Sequence, residues 1–363
     1  MSARTYLDHA ATTPVLPQAR AAMADALASW ANPSSPHADG RAARRSLEDA
    51  RARIKSALGW SGDVIFTASV SEGAGIAFAR TRRDSLRHAL STVEHDAVLR
   101  QAGQGAVTLP VDDDGLLDLA ALSAFVAAAP GLVAVQHANS ETGVLQPTEA
   151  IAAIVRAAGA TLLVDAAQTA GKMPLPDADM ILIGAHKFGG APGAAALLVK
   201  DLGALVPTGS QERGYRPGTE NWPAIAAMAA ALEARCDVTR AEALARQSEL
   251  RRDLEQRLTA HGATVIAAAA PRSPLIAAYA MPGMSAQAQL VRFDGLGFAV
   301  SAGSACASGS MKPSHVLAAM RIDPDLAART IRVSFSLDTP ESDVTAFADA
   351  WVALATEAAR RAA

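Results

Sequence analysis

Cysteine is nearly absent, with only Cys236 and Cys306 in 363 residues. They lie far apart, without a CxxC pair or a Cys/His cluster, which excludes a disulfide framework and a thiolate zinc site. Excess charge is also missing. A net charge of −3 leaves no broad basic surface for nucleic acid, and 50% apolar with 19% charged residues argues against wholesale disorder. The N-terminal MSARTYLDHAATTPV has no apolar core of signal-peptide length, and no uninterrupted apolar stretch would span a bilayer. The expectation is a soluble, cytoplasmic protein with neither nucleic acid nor membrane as partner.

Nucleotide fingerprints are lacking as well. Ahead of Gly171-Lys172 a Walker loop would need glycine where Ala166 stands, and no Ser or Thr follows the lysine. A dinucleotide fingerprint fails at its third glycine, which is Phe78 after Gly73 and Gly75, and Val300 after Gly295 and Gly297. The run 111-VDDDG-115 lacks the alternating ligand spacing of a calcium loop and reads as a turn.

What is present is a series of apolar runs of strand length: 63-DVIFT-67, 132-LVAVQ-136, 161-TLLVD-165, 180-MILIG-184 and 195-AALLV-199. They alternate with helical stretches such as 149-EAIAAIVRAAG-159, where Glu149 suits the positive N-terminal end and Gly159 the stop. Near-continuous apolar strands between helices predict an α/β fold with a mostly parallel sheet covered on both faces. The length exceeds what one core usually serves, so two lobes are expected. From Thr239 the texture changes: 239-TRAEALARQSELRRDLEQRLTAHG-262 reads as a long charged helix bridging the lobes, opened by a Thr239/Glu242 capping box, with Leu250, Leu254 and Leu258 on one packed face. The remainder, through 331-IRVSFS-336 and an alanine-rich last helix, reads as a smaller α+β lobe. The expected division is a large domain over 16–238 and a small one over 239–363 joined by the N-terminal segment 1–15.

Ligands of such sheets gather at the strands' carboxyl ends. Asp165 closes one run, Gln168 follows it, and Lys187 lies just beyond another in 181-ILIGAHKFGG-190. A surface lysine is the commoner outcome after a strand. Yet an acid for a ring nitrogen and a partly desolvated amine for an aldehyde are the two requirements of pyridoxal phosphate (PLP). The segment 66-FTASVSEGAG-75 follows a strand and opens a helix, placing the amides near Val70, Ser71 and Glu72 where a helix N-terminus can hold phosphate. Cys306 lies among small residues in 301-SAGSACASGSMKP-313, which suits a reachable thiol, whereas Cys236, after the helical 231-ALEARCDV-238, reads as structural.

Together these stretches resemble the cysteine desulfurases (NifS/IscS-like) of the class V aminotransferase group. The resemblance runs through 6-YLDHAATTPV-15, 32-NPSSPHADGRAAR-44, 94-EHDAV-98, 137-HANSETGV-144, 165-DAAQ-168, 186-HK-187, 212-ERGYRPGT-219, 303-GSACASGSMKPSHVL-317 and 329-RTIRVSFS-336. It implies the fold type I, aspartate aminotransferase-like architecture of PLP-dependent transferases. Lys187 would condense with the PLP aldehyde, Asp165 would pair with the pyridine nitrogen, His95 would stack on the ring and Gln168 would reach its phenolic oxygen. His186 and the backbone at Val70 and Ser71 would hold the phosphate, and Thr219 would reach the phosphate of a second subunit, implying a homodimer. Arg332, helped by Asn32, would bind the substrate carboxylate; Ile331, Val333 and Phe335 alternate inward and leave it on the other face. The implied activity converts L-cysteine to L-alanine, with sulfur taken as a persulfide on Cys306 for an acceptor protein, as in iron-sulfur cluster biogenesis.

Departures from the family pattern are local. Ser140 stands where asparagine is usual, which weakens a ring-oxygen contact or shifts it to Asn139. Gly184 replaces a serine and removes a hydroxyl from the phosphate cradle, and Gly73, Ala74 and Gly75 replace polar residues of the phosphate helix. The chain ends at 356-TEAARRAA-363 without the tail some members use to dock an iron-sulfur scaffold, leaving the acceptor open. Two other readings stay open: another class V lyase or aminotransferase, selenocysteine lyase included, with Cys306 incidental, and a non-catalytic dimeric binding partner that retains the fold.

Overall fold

The structure, a computed structural model, describes residues 4–237, 239–303 and 313–362. Strand β1 (Thr5–Tyr6) opens the chain. The large sheet holds β2 (Asp63–Thr67), β3 (His88–Ser91), β4 (Val107–Leu109), β5 (Leu132–Gln136), β6 (Thr161–Asp165), β7 (Met180–Gly184) and β8 (Ala195–Val199). Its order is β2-β8-β7-β6-β5-β3-β4. Strands β4, β3, β5, β6 and β7 run parallel, while β8 is antiparallel to both β7 and β2. All five apolar runs are strands with the expected bounds. Strands β3 and β4 are additions, too short and too mixed in composition to stand out as runs.

The strand period of two explains why the runs are apolar throughout. Val133, Val135, Val164, Ile181 and Ile183 pack into one buried cluster, with Leu47, Ile54 and the helix Trp222–Arg235. Leu132, Ala134, Leu163, Met180 and Leu182 pack into another on the opposite face, with Ile76 and Phe78. Helices therefore cover both faces, as a parallel sheet requires.

A second body forms around β9 (Thr264–Val265), β10 (Ile276–Ala280), β11 (Phe298–Ala299) and β12 (Thr330–Ser334). Antiparallel pairing gives the order β12-β10-β9, and its core gathers Tyr279, Phe293, Phe347 and Trp351. The charged helix spans Arg240–Thr259; its Leu254 and Leu258 are buried in this second core, against the last helix, Glu341–Ala362. It belongs to this body and does not bridge the two. Nor is there a capping box: the Thr239 backbone is helical and its hydroxyl donates to Asp237 Oδ1 at 2.7 Å.

Other segments make the link. Arg235, at the end of the Trp222–Arg235 helix, reaches across to Asp338 and to Ser336 Oγ. The loop after β5 meets the chain before β10, where Ser273 N–H donates to Gly143 O at 2.7 Å. Gly143 has φ +79°, and a Cβ there would lie 2.2 Å from Ile276 O, so only glycine permits this approach. The N-terminal segment joins the second body: β1 runs parallel to β11, and Leu7 and Ala10 are buried in its core.

Candidate active site

A cavity of about 460 Å³ opens at the carboxyl ends of β5, β6 and β7, between the two bodies. Register places the strand ends together, since Gln136 pairs with Asp165 and Asp165 with Leu182. Asp165, Gln168, Gly184, His186, Lys187, His95, Ser140 and Arg332 all reach its wall, as do Val70 and Ser71.

Lys187 ends a 3-10 turn, Ala185–Lys187, that follows β7. Its Nζ donates to Ala10 O at 2.7 Å and to Ala11 O at 2.9 Å. The N-terminal segment is fixed for this by Thr13, whose N–H donates to His186 O at 2.8 Å and whose hydroxyl donates to Lys187 O at 3.0 Å. Gln168 Nε2 donates to the same Ala10 carbonyl at 2.9 Å. The buried Oε1 of Gln168 has no partner among the described residues, an acceptor available to a donor in the cavity.

Asp165 is buried, and its Oδ1 accepts from Ala167 N–H at 2.9 Å. Burial pushes its carboxyl above the usual range, against the pull of that hydrogen bond and of His95 and Lys187. A ring cation beside its other oxygen would reverse the shift. Beneath it lies Glu94, fully buried, with Oε1 accepting from Gln136 N–H at 2.7 Å. Burial, reinforced by Asp165, raises the Glu94 carboxyl well above the ordinary range.

His95 caps the helix Asp96–Ala102, and its Nδ1 accepts from Ala97 N–H at 3.1 Å. That bond leaves the ring proton of the neutral form on Nε2. Burial lowers its pKa. His186 is held neutral, at about 4, by burial and then by the charges of Lys187 and Lys172. His315 also lines the cavity; its Nε2 lies 2.9 Å from Glu94 O and must donate to that carbonyl, which fixes its tautomer too.

The helix Val70–Ala77 starts at the cavity, with Ser69 as N-cap accepting from Glu72 N–H at 3.2 Å. Gly73 lets it lie close on β7, because a Cβ there would come within 2.8 Å of Leu182 Cδ2. A Cβ on Gly184 would meet Val70 Cγ2 at 3.1 Å, so valine occupies the room that a larger residue at 184 would use. Opposite, Arg332 on β12 is 4% exposed, donating to Asp8 Oδ1 at 2.7 Å and to Ser140 O at 3.0 Å, with Nε buried and unpartnered among the described residues.

Some expected residues are not brought here. Asn32 and Thr219 lie outside the cavity wall; the Asn32 carboxamide oxygen accepts from Ser34 N–H, and Thr219 is exposed. Asn139 is spent on its own turn, accepting from Glu141 and Thr142 and donating to Val93 O, so it is no substitute at the ring oxygen. Cys306 lies outside the described residues. The residues that sequence reasoning passed over are Asp8, Glu94 and His315, although each sits inside a quoted motif and Glu94 adjoins His95.

These residues fit pyridoxal phosphate: an acid placed for a ring nitrogen, an amine beside it, an orphaned amide oxygen, and backbone donors at a helix start. The Aminotransferase class-V family model matches residues 5–347. A cysteine desulfurase from Cereibacter sphaeroides is 36% identical over 94% of this chain and 93% of its own length. The cysteine desulfurase IscS of Dictyoglomus turgidum is 33% identical over 95% of the chain and 92% of its own. A solved NifS-like protein from Rickettsia africae superposes with a TM-score of 0.87 at 31% identity, covering 96% of this chain and 98% of that one.

Proposed function

Because this chain belongs to the class V aminotransferase family, we propose that its cavity is the active site of a PLP-dependent cysteine desulfurase that releases L-alanine and passes sulfur on. The observation that carries this reading is Lys187 Nζ, held at 2.7 and 2.9 Å on two carbonyls at the carboxyl end of the strand beside Asp165, with Arg332 across the cavity. Pyridoxal phosphate, when bound, supplies the electron sink that stabilises negative charge at the substrate's Cα.

The chain's own residues do the rest. Arg332 binds the carboxylate of cysteine, and Asp165 holds the ring nitrogen's positive charge. The Lys187 amine takes the proton from Cα. Cys306, as thiolate, forms an S–S bond to the substrate sulfur; the Cβ–S bond breaks, its electron pair stays on carbon, protonation at Cβ makes the methyl, and the Lys187 ammonium returns its proton to Cα to complete alanine. The sulfur remains on Cys306 as a persulfide.

The finer reading extends this to a homodimer in which Thr219 reaches the second copy's phosphate site, and to a cytoplasmic enzyme handing sulfur to an acceptor protein for iron-sulfur clusters. Domains 16–238 and 239–363, tied by segment 1–15, would be its lobes. The test is a visible spectrum with PLP followed by L-cysteine titration, with alanine and sulfide assayed. Cys306→Ala is expected to keep the cofactor's absorbance band and lose sulfide release by at least about 100-fold, since removal of a covalent nucleophile removes the step itself. Undiminished release would sink the persulfide reading in favour of a lyase that needs no thiol.

A further inference from the structure

Gly184 ends β7, and on the cavity wall it meets the first residue of the helix Val70–Ala77. Its backbone, at φ −126° and ψ 121°, is extended chain that any residue adopts, so conformation does not call for glycine. Space does. A Cβ at 184 would lie 3.1 Å from Val70 Cγ2, whereas its next neighbour, His186 Cδ2, would be 3.8 Å away in ordinary contact. Val70 is therefore what keeps side chains out of position 184. The valine gives way poorly: it packs against the buried cluster that holds Ile76, Phe78 and Leu182, and a β-branched side chain in a helix has one strongly preferred rotamer.

The same corner has few donors. In the first turn of the helix, Glu72 N–H is taken by Ser69 Oγ at 3.2 Å and Gly73 N–H by Ser69 O at 3.1 Å, which leaves the amides of Val70 and Ser71 for an anion. The Glu72 carboxylate is engaged by Ala68 N–H and by Arg216 Nε, the latter at 3.0 Å. On the sheet side, Gly184 and its ladder neighbour Ala195 both line the cavity, and neither carries a polar side-chain atom.

We propose that Val70 and Gly184 form one specificity element: the valine bars a hydroxyl from the strand end, so the site prefers PLP over unphosphorylated pyridoxal by a smaller margin than a donor at 184 would give. A hydrogen bond to a charged acceptor is worth about tenfold or more in affinity, and this corner goes without it. The shortfall belongs to the pair, because a hydroxyl placed at 184 beside the native valine has no room to form that bond.

This inference rests on the reading of the cavity as a PLP site with the phosphate at the helix start, and the experiment separates the two claims. Apoprotein is titrated with PLP and, separately, with pyridoxal, and each dissociation constant is taken from the lysine-bound absorbance. Their ratio cancels the bond to Lys187 that both aldehydes make. Gly184→Ser and Val70→Ala are each expected to leave the preference for PLP within about twofold of the native one, and the double variant Val70→Ala/Gly184→Ser to raise it at least about tenfold. Val70→Ala/Gly184→Ala, which adds the Cβ without the hydroxyl, is expected at the native ratio. The double serine variant relieves the contact and carries the test if Gly184→Ser fails to fold. A preference in Gly184→Ser equal to that of the double variant, a double variant at the native ratio, or an equal gain in Val70→Ala/Gly184→Ala overturns the proposal. A native protein that shows no lysine-bound band with either aldehyde overturns the underlying reading instead.

Discussion

Arg332, proposed to bind the substrate carboxylate, already holds one acid. Its guanidinium is buried and bonded to Asp8, so a carboxylate must share the fork with that partner or use Nε, which has no partner among the described residues. A charge-assisted bond is worth about 1.5–3 kcal/mol, so Arg332→Ala should raise the KM for cysteine at least about tenfold while altering kcat less. Steady-state kinetics would show it, and an unchanged KM would remove Arg332 from substrate binding. At this scale the site was legible where chemistry and strand ends coincide, as at Asp165 and Lys187. Asp8 and Glu94 gave no such signal, because long-range pairing with β12 and β5 gives them their surroundings. The seat of Lys187 is two backbone carbonyls, which have no side-chain signature.

At the scale of elements, β2 is an edge strand, with backbone groups on one side lacking a ladder partner. Phe66 N–H donates to Glu212 Oε2 at 2.9 Å, and Arg51 binds both Val64 O and the Glu212 carboxylate, at 2.8 and 3.0 Å for the latter. The Arg51 guanidinium also lies 4.5 Å over the Phe66 ring. One buried ion pair thus seals the edge and ties helix Ala38–Leu58 to the turn at Glu212. Glu212→Ala leaves Arg51 with Glu48 and the Val64 carbonyl but takes the buried acceptor from the Phe66 amide, and should cost about 1–3 kcal/mol in urea unfolding. A midpoint within error of the native one would show that water replaces the carboxylate. The runs that became β5 to β8 were readable because both faces are buried. The Arg51–Glu212 tie was not, since 161 residues separate its ends.

For the whole molecule, acidity pulls in two directions. His9, His137 and His186 are lowered, to about 3, 4 and 4, each with burial as the first cause. Their folded forms favour neutrality, so the stability they contribute is complete above the unfolded value of about 6.5 and is lost as pH falls towards 4. Glu94 and Asp165 are raised by burial, and their cost eases as pH falls towards the ordinary carboxylate range. A difference measurement isolates one term. His137, whose Nδ1 lies 2.9 Å from Thr169 Oγ1, should lose its advantage over His137→Gln by at most about 1.4 kcal/mol per pH unit below 6.5. Urea midpoints at pH 7 and pH 5 check this, and a gap that widens in acid would contradict it. The order of synthesis adds a constraint of its own. Thr5 and Leu7 bond to Gly297 and Ala299, and Ser334 N–H donates to Leu7 O, so this early segment waits for strands made much later. The carbonyls that seat Lys187 belong to that waiting segment. A nascent chain that has not yet made β11 and β12 cannot hold the amine in place, and cofactor loading becomes an event that follows their synthesis.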